Sequence, residues 1–257
     1  MAVVLEGGCR VSTMHEGDPR VSGSLKVWEQ IGKATGAQAI SLRILEFGPG
    51  RSPGLVNRES DEVLYLLDES GECTIVIDEN AYDVGPQTGI YLRPGQTLVV
   101  ENPGPGPVRF VSSQADAQLD HRDESHVAPI VKLSDRRALP TADRWYRVLV
   151  DNEIGSEQVT QFVGSIPPGR APDHFHEYEE VLFILRGEGR MWAGETNTPI
   201  APGSCIYLPK RQVHCVENTG EGELRLLGVF YPAGSPAVRY EATDEAAATD
   251  EAADFRR

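Results

Sequence analysis

Hydrophobic residues in this chain come in short runs broken by glycine and proline, the pattern of strands joined by turns. Val181 to Leu185 and Cys205 to Leu208 are β-branched and aromatic runs, of the kind that packs on a pleated surface. Gly187 and Gly189 stop the first run, and Pro209 to Gln212 turns the second. In the first half, Ile40, Leu42, Ile44 and Glu46 alternate with their neighbours, so a further set of strands is expected from Ala39 onward. Residues 1–37 carry only short apolar pieces, Val21 to Trp28 among them, and are expected to form an N-terminal arm or edge strands.

The pattern occurs twice. Phe47 to Pro53 echoes Ile166 to Pro172, and Asp61 to Leu67 echoes Glu179 to Leu185. Ile90 to Leu92 echoes Ile206 to Leu208, and Val100 to Asn102 echoes Val216 to Asn218, with an offset of 116 to 119 residues throughout. Self-similarity at one offset points to two homologous units. The expected organisation is an all-β protein with barrels at 38–113 and 144–235. A polar linker at 114–143 would join them, with a short strand at 128–133. The Ala- and acid-rich stretch 236–257 cannot bury a core and is expected to be disordered or a solvated helix.

The second half also carries the candidate chemistry. His174, His176 and Glu180 share parity, and alternate side chains of an extended segment leave on one face. His214 would be a fourth member. Three imidazoles and a carboxylate suit a divalent Fe, Mn, Ni, Cu or Zn ion. On an octahedral ion, four protein ligands leave two positions for water or substrate. Singly, the same residues have ordinary readings: a surface His pair, a salt-bridging Glu180, a hydrogen-bonded core His214. In the first half Glu62 falls on Glu180, but Val56 and Arg58 fall where the two histidines stand, and Leu98 falls on His214. Neither an aliphatic side chain nor a guanidinium ligates, so this barrel is expected to lack the metal. Arg58 and Glu62 would then form an ion pair or a second pocket for an anion.

At these residues the chain resembles the cupin superfamily, whose motifs run G-x5-H-x-H-x3-4-E-x6-G and G-x5-P-x-G-x2-H-x3-N. Gly169 stands one residue closer to His174 than that pattern asks, while His176, Glu180 and Gly187 fall in place. Gly203, Pro209, His214 and Asn218 keep the second spacing, with Arg211 where the family has glycine. The resemblance implies two cupin-type barrels in tandem (double-stranded β-helix, or jelly roll). It also implies one metal held by His174, His176, Glu180 and His214, with Glu180 able to act as a base if it detaches. Leu182, Ile184 and Val216 are expected to point inward, and Gln161, Tyr178, Trp192 and Tyr207 are candidate substrate contacts.

Charge and cysteine content narrow the class. A formal net charge of −15 argues against nucleic acid or an anionic membrane as partner. Four cysteines without C-x-x-C spacing fit free thiols in a reducing cytoplasm. No apolar run is long enough for a transmembrane helix, no secretory leader pattern is visible, and no catalytic-triad, phosphate-loop or dinucleotide motif appears. Chemistry is therefore expected at the metal. The readings are a dioxygenase-like oxidoreductase on a small oxygenated molecule, a non-redox isomerase, lyase or hydrolase, or a small-molecule-binding protein without catalysis. The arm could cover sheet edges within one chain or across a homodimer.

Overall fold

The computed structural model describes residues 1–56, 60–67, 71–115, 129–141, 143–238 and 240–241. The strands arrange into two barrels, each made of a large sheet facing a smaller one.

The first barrel's large sheet runs Ile130–Lys132, Thr88–Leu92, Glu62–Leu66, Val108–Ala115, Ile40–Phe47, Leu25–Ile31, Arg20–Ser22. The second's runs Val3–Val4, Arg10–Thr13, Ser204–Leu208, Glu179–Arg186, Leu224–Tyr231, Thr160–Ile166, Arg144–Val150, Leu139–Thr141. Each therefore borrows a strand from elsewhere in the chain. Arg10–Thr13 of the N-terminal arm pairs with Ser204–Leu208 of the second barrel, and Ile130–Lys132, beyond the first barrel, pairs with Thr88–Leu92. Most of the expected linker, including His121 and His126, lies outside the described residues.

The central strands of the large sheets are buried on both faces. Every residue of Glu62–Leu66, Thr88–Leu92 and Ser204–Leu208 is buried, which is why these segments read as continuous apolar runs and not as alternation. On Glu179–Arg186, Leu182 and Ile184 face the interior of the second barrel, while Val181 and Phe183 enter a core shared with the first. Leu45 and Phe47 likewise face the first barrel's interior, and Ile40, Leu42 and Ile44 face the shared core.

Two buried carboxylates pin this interface. Asp61 accepts from Tyr91 Oη at 2.7 Å and from the backbone N–H groups of Glu157 and Gln158 at 2.7 and 3.0 Å. Glu179 accepts from the Ala39 N–H and from Tyr207 Oη, both at 2.8 Å. Fully paired in this way, the two acids are tolerated in a dry interface that would otherwise exclude them.

Candidate metal centre

The site is assembled from three places in the second barrel. His174 begins the strand His174–Phe175 and lies directly across from His214 in His214–Asn218. His176 follows in the loop, and Glu180 sits near the start of Glu179–Arg186. One ligand atom from each of His174, His176 and His214 lies within 4.8 Å of the others. Glu180 Oε2 approaches from the side, 3.8 Å from His176 Nε2.

Hydrogen bonds orient the imidazoles. Nδ1 of His174, His176 and His214 faces the carbonyl oxygens of Pro172, Val238 and Gln212 at 3.0, 3.0 and 2.8 Å. A carbonyl only accepts, so each Nδ1 carries the proton and each Nε2 keeps its lone pair. Burial, together with His174 and His176 alongside, holds His214 well below the usual imidazole range and hence neutral. Burial also pushes the Glu180 carboxyl up to about 8. Neutral imidazoles around a desolvated carboxyl are what a bound cation would convert into a ligand set, since its charge inverts the local balance. The three histidines could hold a metal ion, and the donor chemistry fits a divalent transition metal.

A cavity of about 110 Å³ opens onto these residues. Trp145, Tyr146, Phe162, Leu182, Val216 and Leu226 wall it, and Thr141 and Arg144 add polar groups from the hairpin Leu139–Thr141/Arg144–Val150. Arg144 is largely buried, with Asp143 3.6 Å from its Nε. The first turn of the hairpin's second strand thus places a guanidinium on the same cavity as the histidines.

Several expected contacts lie elsewhere. Gln161 is fully buried but points away from the cavity toward Gly89 of the first barrel, because it alternates with Phe162, which occupies the inward face. Tyr207 also faces the shared core, where its hydroxyl donates to Glu179. Trp192 is on the outer side of Gly189–Ala193, where its Nε1 donates to Glu217 at 2.8 Å and Arg170 stacks on its ring. Tyr178 does reach the site, packing flat between His176 and Phe230 with centroid distances of 4.6 and 4.2 Å. Parity had no means of separating cavity face from interface face where both are buried. Arg144, Trp145, Phe162 and Pro236 were not foreseen. For Phe162 the alternation with Gln161 carried the signal.

Arg211, the departure from the family's glycine, has a φ of +63°, a conformation that disfavours any residue with a Cβ. Its N–H donates to the His176 carbonyl at 2.7 Å and its side chain meets Glu177 at 3.4 Å. The turn is thereby tied to the ligand loop. All four cysteines are buried and free; burial raises Cys215 to about 11, which keeps it a thiol at neutral pH, and its Sγ accepts from Arg170 Nε at 3.3 Å.

The first barrel reproduces the frame without the ligands. Leu98 pairs with Leu55 just as His214 pairs with His174. The residue in the first histidine's place is therefore Leu55, one position before Val56, which is exposed. Arg58 lies outside the described residues. The expected Arg58–Glu62 pair therefore lies outside the described residues; among those described, Glu62 accepts from Arg43 Nη2 and Ser112 Oγ at 2.6 and 2.7 Å.

Residues 162–230 match the cupin domain family. The chain is 32% identical over 86 residues to auxin-binding protein 1 of Arabidopsis thaliana, covering 30% of this chain and 43% of that protein. It is 36% identical over 67 residues to an oxalate-binding protein of Thermotoga maritima, covering 25% and 55%. The chain thus spans about half the length of the curated relatives it matches. A mutant of Bacillus subtilis oxalate decarboxylase superposes with a TM-score of 0.72 at 14% identity, covering 90% of this chain and 79% of that one. The Ylba protein of E. coli gives 0.73 at 13% identity, covering 90% and 93%. No described helix is long and apolar enough to cross a membrane. Residues 162–230 of the second barrel thus carry the match to the cupin domain family, and the chain as a whole has the fold of two cupin-type barrels in tandem.

Proposed function

We propose that the second barrel holds one divalent transition metal through His174, His176, Glu180 and His214, and that the protein is a metal-dependent oxidoreductase of the dioxygenase type acting on a small carboxylic acid. The observation that carries this reading is the convergence of three imidazoles beside Glu180 in a cavity that Arg144 also lines.

The ion would supply Lewis acidity toward an oxygen donor and, if redox-active, a route for electrons to dioxygen. This chain's residues do the rest. The three Nε2 atoms bind, and the carbonyls of Pro172, Val238 and Gln212 hold their tautomers. Arg144 orients a carboxylate by charge-assisted hydrogen bonds. Tyr146, Phe162 and Leu226 exclude water. Glu180, when not ligating, can hold a proton at its carboxyl oxygen near neutral pH, as its raised value of about 8 indicates.

Size restricts the substrate. A cavity of about 110 Å³ is well below the roughly 300–1,000 Å³ of drug-sized sites, so an acid of two to four carbons fits better than a flavonol or gentisate. The relative named for binding oxalate and the neighbour named as an oxalate decarboxylase support a small carboxylate.

The relatives named as binding proteins favour one second reading, reversible capture of such an acid without turnover. Elemental analysis followed by oxygen consumption against two- to four-carbon hydroxy, keto and dicarboxylic acids separates the two. Uptake of oxygen with product formation supports the oxidoreductase. Saturable binding with a flat electrode trace, on fully metallated protein, overturns it in favour of the binder. Arg144→Gln should weaken acid binding about tenfold or more while leaving metal content unchanged.

A further inference from the structure

We propose that Pro236 to Val238, together with the strand Tyr240–Glu241, is a positioning element of the metal centre, which sets the tautomer and ring orientation of His176 and walls the cavity. The inference rests on the reading that the histidines bind metal.

The three histidines are not oriented alike. His174 and His214 donate from Nδ1 to carbonyls two residues earlier, Pro172 and Gln212. Their orientation is local, built into the turn that precedes each. His176 donates to Val238, 62 residues away in the chain. One imidazole of the three therefore depends on a segment that composition alone would assign to a solvated tail.

That segment is anchored on both sides of Val238. Before it, Thr160 Oγ1 donates to the Gly234 carbonyl at 3.0 Å, and the Val238 N–H closes a turn onto the Ser235 carbonyl at 3.1 Å. After it, the strand Tyr240–Glu241 pairs with His174–Phe175, setting Tyr240 opposite Phe175 and Glu241 opposite His174. The Tyr240 and Phe175 rings stack with centroids 5.3 Å apart and planes 19° apart. Pro236 lines the cavity itself. The segment thus runs along the edge of the ligand-bearing strand, holding one ligand by a carbonyl and closing the cavity with a ring.

The function follows from how metal-bound imidazoles behave. A hydrogen bond to the non-ligating nitrogen fixes the tautomer and raises ligand basicity, and its loss typically weakens metal binding by about 10–100-fold. By linkage, a metal that prefers the docked segment must in turn hold the segment down.

The test compares the full chain with a chain ending after Glu241 and one ending after Ser235, using Co²⁺ as probe. Affinity is read by competition with a chromophoric chelator, and geometry by the visible spectrum of the bound ion. The Glu241 truncation should match the full chain. The Ser235 truncation should bind about tenfold or more weakly and show an altered spectrum, with unchanged circular dichroism without metal. Should the Ser235 truncation fail to fold, full-length Tyr240→Ala carries the test. It should weaken Co²⁺ binding, Tyr240→Phe should restore it because the stacking ring remains, and Co²⁺ should slow proteolytic cleavage near residue 240 in the full chain. Equal Co²⁺ affinity and spectra in the full chain and in whichever of these variants folds overturn the positioning role while leaving the metal site intact. Absence of Co²⁺ binding by the full chain overturns both.

Discussion

Arg43 lies 2.6 Å from Glu62 inside the first barrel, and strand register shows what stands in its place in the second. Ser112 pairs with Arg43, and Gln114 with Glu62. In the second barrel Gly228 pairs with Phe162, and Phe230 with Glu180. The same glutamate is thus surrounded by Arg43, Ser112 and Gln114 in one barrel and by Phe162, Gly228 and Phe230 in the other. A guanidinium neutralises the first glutamate from within the fold. In the second barrel Phe162 stands in the place of Arg43, and the glutamate lies beside the three imidazoles.

Removing Arg43 should therefore strand a buried charge. Arg43→Met is expected to destabilise the protein by about 3–5 kcal/mol, and Arg43→Met combined with Glu62→Leu to recover most of the loss. Urea unfolding followed by tryptophan fluorescence measures both. A single variant as stable as the parent would show that Glu62 is satisfied some other way.

Metal binding should respond to one barrel only. His176→Ala is expected to lower affinity for a divalent transition metal by about tenfold or more, whereas Val56→Ala, at an exposed position of the first barrel, should leave it unchanged. Elemental analysis after dialysis against limiting metal reads the difference. Similar losses from the two substitutions would contradict one ligand-bearing and one bare barrel.

Gly228 makes room for Phe162. A Cβ at this position would come within 2.3 Å of the Phe162 ring. Gly228→Ser, which installs the residue found at the corresponding place in the first barrel, is expected to destabilise by about 1–3 kcal/mol and to displace the aromatic wall of the cavity. Phe162→Ala in the same chain should relieve part of the clash. Thermal unfolding of the single and double variants tests this, and a fully tolerated Gly228→Ser would disprove the close packing.

Acid should weaken the cluster around the largely buried Glu46 predictably. Burial alone would raise the Glu46 carboxyl, but hydrogen bonds and charge from Arg109 and Lys26 outweigh it and hold the group below its ordinary 4.5. A lowered folded-state value means the contribution is complete above about 4.5 and is lost as pH falls through the lowered value. Glu46→Gln should therefore cost up to about 1 kcal/mol at neutral pH and almost nothing at the acidic end. Urea midpoints measured across that range should converge for the two proteins; parallel curves would show that the cluster contributes no pH-linked stability.

Much of this architecture is written in local sequence. The offset repeat, a comparison of the sequence with itself, requires two like units, and short β-branched runs between turns require strands because that signal depends only on near neighbours. His174, His176 and Glu180 share parity in the sequence, but they reach the site from a two-residue strand, a loop and a strand of the facing sheet, so their meeting is not a product of the two-residue period. Tertiary structure decided what no local signal carries. Where both faces of a strand are buried, parity cannot tell cavity from interface, so Gln161 and Tyr207 went to the shared core while Phe162 took the cavity. A one-residue shift in a two-residue strand placed Leu55, not Val56, opposite Leu98. The partners of Glu62 and His176, namely Arg43 and Val238, reach them by strand pairing and by a chain segment 62 residues distant, and such closures are set by the packing of the whole fold.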